Sequence, residues 1–188
     1  DAWRSYTRAF IAEFAARGGD EYEATVRSFA ASDNPDIAWR ARRALAARGL
    51  VDAGAIEAWR SADGSGEAAR MSVEALASLP IEEARRHAWE SVYSETLSND
   101  FLTATLAGLQ ASSWEGEPGI EAAVDRLRSY WESHTIGMAL RYANGVLAYG
   151  LDIDRDGSVS RSVGLLRSWL DTNSDAPAQL RRIVIEHL

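Results

Sequence analysis

Residues 120–131, IEAAVDRLRSYW, decide the fold class. Ile120, Ala123, Val124, Leu127, Tyr130 and Trp131 recur at three- and four-residue steps. At 3.6 residues per turn those side chains share one helical face, and Asp125, Arg126, Arg128 and Ser129 take the other. Working outward, the pattern returns. Ile81, Ala84, Ala88 and Val92 form a stripe that Trp89 widens, and Leu180, Ile183, Val184 and Leu188 form another. Ile37, Ala41, Ala44 and Leu45 make a shorter one. Alternating β-branched runs, the mark of strands, are absent.

The punctuation agrees with helices. Asn34-Pro35 reads as an N-cap followed by proline at the first helical position, and Pro80 and Pro177 are expected to play the same part. Asp52 and Ser98 are further N-cap candidates. Gly18-Gly19 and Gly49 stand where helices should stop in the left-handed conformation that glycine favours. Gly64-Ser65-Gly66 reads as a flexible connector. These signals give about eleven short helices. Short loops make successive helices antiparallel, and so many helices rarely close into one bundle. The expected architecture is an all-α superhelix, a solenoid of stacked helix pairs in the manner of HEAT and armadillo arrays, forming a single domain over residues 1–188. The seven tryptophans are scattered and read as core and interhelical filling.

Composition excludes several classes of function. Hydrophobic residues make up 46% and charged residues 26%, the balance of a folded domain rather than a disordered chain. Net charge is −8, and all 20 basic residues are arginine, in pairs such as Arg42-Arg43, Arg85-Arg86 and Arg181-Arg182 that form no basic stripe. Such a chain repels phosphate backbones, so nucleic acid is a poor partner. The uncharged run Phe101–Trp114 is too short and too polar for a membrane span, which needs roughly 20 apolar residues. There is no cysteine, which fits a reducing, cytoplasmic setting and removes disulfides and thiolate metal sites. The sequence begins without Met inside a helical pattern and ends in one. It is expected to be a fragment of a longer chain.

Catalytic constellations are sparse. Zinc peptidase chemistry needs converging ligands such as the two histidines of an HExxH helix. Here His87, His134 and His187 stand apart, and His87 with Glu90 is a lone i, i+3 pair. No GxSxG elbow or phosphate-binding glycine loop occurs. We therefore assign no catalytic, cofactor-binding or metal residue. Residues 152–160 match the first nine positions of an EF-hand-type calcium loop, with Asp152, Asp154 and Asp156 as oxygen ligands and Gly157 at the sharp turn. The twelfth position, normally a bidentate acid, is Val163. The competing reading is an acidic interhelical loop with Asp156-Gly157 as its turn and Ser158 or Ser160 capping the next helix.

Three ordered stretches carry a family likeness. Residues 36–80 place an arginine- and tryptophan-containing helix before Gly49, an Ile56-x-Ala58 step, a Gly/Asp/Ser loop and a helix running to Pro80. Residues 81–100 contain Trp89 and then Leu97-Ser98-Asn99. Residues 164–188 contain Trp169-Leu170, Pro177, Leu180-Arg181-Arg182 and Glu186. Together they resemble the C-terminal, non-catalytic helical domain of bacterial aminopeptidase N, in particular that of actinobacterial-type enzymes. The likeness runs from about residue 20 to the end. It departs at Tyr149-Gly150-Leu151, where the family carries an aromatic-Pro step.

The resemblance implies a hydrolase whose zinc site, with its HExxH motif, lies in a preceding catalytic domain. In it the helical part closes and gates the chamber, and the partners are that catalytic domain and peptide substrates. No cofactor is expected in this fragment, only zinc in the catalytic domain of the parent. Arg141, within an otherwise apolar helix, is the one candidate for a chamber-facing side chain; the alternative for it is a buried ion pair. The competing function is a stand-alone HEAT-like scaffold for protein–protein interaction.

Overall fold

The computed structural model describes residues 2–94, 96–111, 120–149 and 161–188. Among them there are twelve α-helices and no strand. They are α1 (Ala2–Arg17), α2 (Asp20–Ala30), α3 (Pro35–Ala47), α4 (Ala53–Ala62), α5 (Gly66–Ala77) and α6 (Glu82–Val92). There follow α7 (Asn99–Ala111), α8 (Ile120–Asp125), α9 (Leu127–Ser133), α10 (Ile136–Tyr149), α11 (Arg161–Thr172) and α12 (Ala178–Glu186). No described helix is long and apolar enough to cross a membrane.

The all-α, solenoid-like expectation holds. Alternate helices pack in a row, α3 on α5, α5 on α7 and α7 on α10, while α4 and α6 lie against the same row between them. The core follows this order. One cluster joins α1–α3 through Ile11, Phe14, Val26, Ile37 and Leu45. The next joins α3–α5 through Trp39, Ala46, Ile56 and Leu79. The largest runs from Ala77 at the end of α5 to α12. Helix α3 serves the first two, which is how a stacked array makes one continuous interior from small units.

α7 is the centre of the row, which explains why residues 101–111 are uncharged. A helix packed on two sides has little face left for charge. Gly108 brings it close to α5: a Cβ there would overlap the Glu74 carbonyl oxygen. On the other side Gly145 of α10 makes room for Leu106, and Gln110 Nε2 donates to the Gly145 carbonyl at 2.6 Å.

Several ends are built as expected. Asn34 caps α3 from its side chain with Pro35 inside the first turn, and Asp52 accepts from the Ala55 N–H at 2.8 Å. Ser98 Oγ accepts from the Phe101 N–H at 3.3 Å. Gly49 has φ 67°, and the Leu50 and Gly49 N–H groups bond back to the Leu45 and Ala46 carbonyls, a Schellman ending.

Other expectations change. Ile81 and Pro177, both in non-helical conformations, are the N-caps of α6 and α12, so Pro80 and Pro177 lie before the first helical position rather than at it. Gly64-Ser65-Gly66 is no mere connector: Ser65 Oγ caps α5 by accepting from the Ala68 N–H at 3.1 Å. The stretch 120–131 is two helices, not one, because Arg126 (φ −86°, ψ −4°) turns the backbone once while its guanidinium lies over the Tyr93 ring. The apolar face survives, with Ala123, Val124, Leu127 and Tyr130 buried. Leu188 lies beyond the end of α12 and is exposed, unlike Leu180, Ile183 and Val184. Of the tryptophans, Trp39, Trp89 and Trp169 are buried as core filling, whereas Trp3 is exposed.

The arginines have a recurring structural use. The last carbonyls of a helix lack intrahelical partners and carry partial negative charge. Arg42 Nε donates to Ala30 O at the end of α2, and Arg85 Nη2 to Leu109 O near the end of α7. Arg181 donates to Leu170 O and Asn173 O at the end of α11. The planar five-donor guanidinium suits this bridging between helices.

Candidate functional site

A cleft of about 920 Å³ opens where four segments meet. Tyr93 follows α6, Leu97 and Ser98 come from the connection to α7, and Asn99 begins α7. Arg126, Ser129, Tyr130, Ser133 and His134 come from α9 and its flanks, and Thr135 and Met138 from the start of α10. Among the described residues its lining includes no aspartate or glutamate, in a chain of net charge −8.

Aromatic rings build the floor. Tyr130 is sandwiched: His134 stacks on it at 3.8 Å between centroids and Tyr142 at 4.0 Å on the other side. Tyr93 meets Tyr142 edge-on at 6.1 Å, and Trp89 stacks behind Tyr93 at 6.0 Å. Tyr142 donates its hydroxyl to Ala123 O at 2.8 Å, which leaves the Tyr93 hydroxyl to donate to Tyr142 across 3.4 Å. The Tyr130 hydroxyl is buried and makes no hydrogen bond. His134 Nδ1 lies 2.9 Å from Ser133 Oγ and 3.2 Å from the Tyr130 carbonyl, and its Nε2 is buried without a hydrogen-bond partner.

Two helices begin at this cleft. Ser98 caps α7, and Thr135 caps α10 by accepting from the Met138 N–H at 3.5 Å. The two starts are adjacent, since the side-chain nitrogen of Asn99 lies 3.9 Å from where a Cβ would sit on Gly137. Arg126 adds a full positive charge. Its guanidinium carbon lies 4.1 Å from the Tyr93 centroid, and it has no carboxylate partner among the described residues.

Burial sets the acidity of the floor. It pushes the Tyr93 phenol up, against the opposing pull of the Tyr142 hydrogen bond and the Arg126 charge. It pushes Tyr130 up to about 12 and Tyr142 further still. A phenol whose folded pKa is raised contributes stability that is complete below the unfolded value, about 10, and is lost as pH rises through the folded one. Alkaline titration followed by phenolate absorbance should therefore show these tyrosines ionising late and together with loss of helical circular dichroism. Ionisation of all of them near pH 10 with the fold intact would contradict the buried floor.

The chain matches no protein-family model and no curated protein.

The residues singled out in the sequence fall elsewhere or at the edge. Arg141 is exposed and donates to Gly137 O at 3.0 Å, so it is not a buried ion pair; the buried guanidinium is that of Arg85, 0% exposed. His87 and Glu90 are both exposed, and the Glu90 carboxylate is engaged by Arg86 at 2.9 Å. His187 Nδ1 faces Ile183 O at 2.9 Å. Residues 152–160, with their calcium-loop pattern, lie outside the described residues. Among the described residues no three His, Asp or Glu side chains gather as a metal site. Of the cleft residues, Arg126 and Ser129 were legible as part of the polar face of the 120–131 stretch. Nothing in sequence tied that face to Tyr93 or to Ser98-Asn99.

Proposed function

We propose that this chain is the C-terminal helical domain of a zinc aminopeptidase, a cytoplasmic hydrolase that releases N-terminal residues from peptides. In this reading it closes and gates the catalytic chamber and performs no chemistry of its own. The observation in favour is that the family-like segments coincide with structurally demanding positions. Trp89, Trp169 and Leu180 are core, Arg181 ties α12 to the end of α11, and Leu97-Ser98-Asn99 wall the cleft between α6, α7, α9 and α10. Zinc would sit in the catalytic domain that precedes this one. The described residues bring no ligand set together, and no step of the reaction is routed through them.

The first test is simple. Purified chain with added zinc should release no alanine from a chromogenic alanine amide, and it should sediment as a complex with a separately produced catalytic portion of its parent. Zinc-dependent release by the chain alone would overturn the proposal.

A second reading, a free-standing interaction scaffold, draws on a different surface. Ile81, half exposed at 50%, stands beside Leu76, Ala84, Leu97 and Phe101 along a mostly apolar groove of about 480 Å³ between α5, α6 and α7. Apolar grooves of this kind accept an amphipathic helix from a partner.

A further inference from the structure

We infer that the cleft between α6, α7, α9 and α10 is a binding site for a small organic oxyanion, a carboxylate or phosphate carried on an apolar body. The inference stands apart from the aminopeptidase reading, since it uses only the cleft's own geometry.

Three independent features converge. The first is charge. Arg126 is held over the Tyr93 ring without a carboxylate partner among the described residues, and none of the described lining residues is an acid that would compete for it. Asp100, in the first turn of α7, interacts electrostatically with Arg70 of α5. The second is the pair of helix starts. α7 and α10 run for 13 and 14 residues, and the Ser98 and Thr135 side chains each satisfy only the third amide of their helix. The first two amides, those of Asn99 and Asp100 and of Ile136 and Gly137, have no intrahelical acceptor, and such groups bind anions. The third is the buried hydroxyl of Tyr130. This residue is 3% exposed, stands on the cleft wall and makes no hydrogen bond. A buried polar group of that kind marks a place where a partner is missing. Leu97, Met138 and the Tyr93 ring offer apolar surface for the rest of the ligand, and 920 Å³ is ample for a small organic molecule.

The test is a titration of the isotope-labelled chain with phenyl phosphate and, separately, with benzoate, followed by the backbone amide resonances of Asn99 and Gly137. One or both probes should give saturable shifts at these amides, and the tighter of the two identifies the preferred anion. Arg126→Gln should weaken that binding about tenfold, as expected for loss of one charge-assisted contact. Tyr130→Phe should weaken it without lowering the melting temperature, because the hydroxyl it removes is buried with no partner in the fold. Absence of saturation with both probes, or an Arg126→Gln affinity equal to wild type, overturns the inference. If Tyr130→Phe disturbs the fold, the Arg126→Gln comparison alone decides.

Discussion

Replacing Gly108 by alanine should destabilise the protein by about 2 kcal/mol, although alanine is the better helix former. Two effects oppose each other. In a helix interior Gly→Ala contributes about 1 kcal/mol of stability. Against it, the new Cβ overlaps the Glu74 carbonyl oxygen and lies 2.7 Å from the Ala77 Cβ. The first contact is backbone of α5, which has no rotamer to change, so the helices must separate, and overpacking of this kind costs about 3 kcal/mol. The net loss corresponds to a fall in melting temperature of about 4–8 °C for a chain of this size, and Gly108→Leu should lose more. Gly164 of α11 is the control. It is exposed with nothing within 4 Å of its Cβ position, so Gly164→Ala should gain about 0.5–1 kcal/mol. Opposite signs for one chemical change would identify the α5–α7 approach as the tight joint of the row. A neutral or stabilising Gly108→Ala would mean that the two helices are not so closely packed.

The second large effect is expected at Arg85. Its side chain is wholly buried among Ala88, Trp89 and Val92 on the inner face of α6, and its guanidinium reaches the Leu109 carbonyl at 3.1 Å. Arg85→Ala removes a charge-assisted hydrogen bond from a helix end and leaves a cavity. The combined cost should be about 3 kcal/mol. Arg85→Met keeps most of the stem's packing but not the donor, so its stability should fall between alanine and wild type. Denaturant unfolding of the three proteins checks this order. An Arg85→Ala protein within about 0.5 kcal/mol of wild type would show that the bond to α7 contributes little.

Arg85 also shows where sequence reading succeeds and where it stops. Periodicity and caps were enough for the helices, because Asn34, Asp52, Ser98 and Gly49 act locally and their chemistry depends on neighbours in the chain. The register of one stripe was not. Arg85, Ala88, Trp89 and Val92 form the buried face of α6, and the charge at its head made Ile81 and Ala84 look the better start. The reverse error fell on Arg141. It lies between apolar residues, yet it shares its exposed face of α10 with Asn144 and Ala148, while Met138, Ala139, Tyr142 and Val146 turn inward. An arginine can enter a core when a helix end from elsewhere in the chain supplies its acceptor, and that acceptor is invisible in a linear pattern. The cleft was hidden for the same reason. Its walls come from positions up to 45 residues apart, Tyr93 to Met138, joined only when α7 seats between α5 and α10.

The most direct measurement is peptide hydrolysis by the catalytic portion of the proposed parent aminopeptidase, with and without this chain, over substrates graded from dipeptide amides to a folded protein with a free N-terminus. If the chain closes the chamber, adding it should suppress trimming of the folded protein while cleavage of short peptides persists or rises. Equal rates across the whole series, with and without the chain, would contradict the gating role.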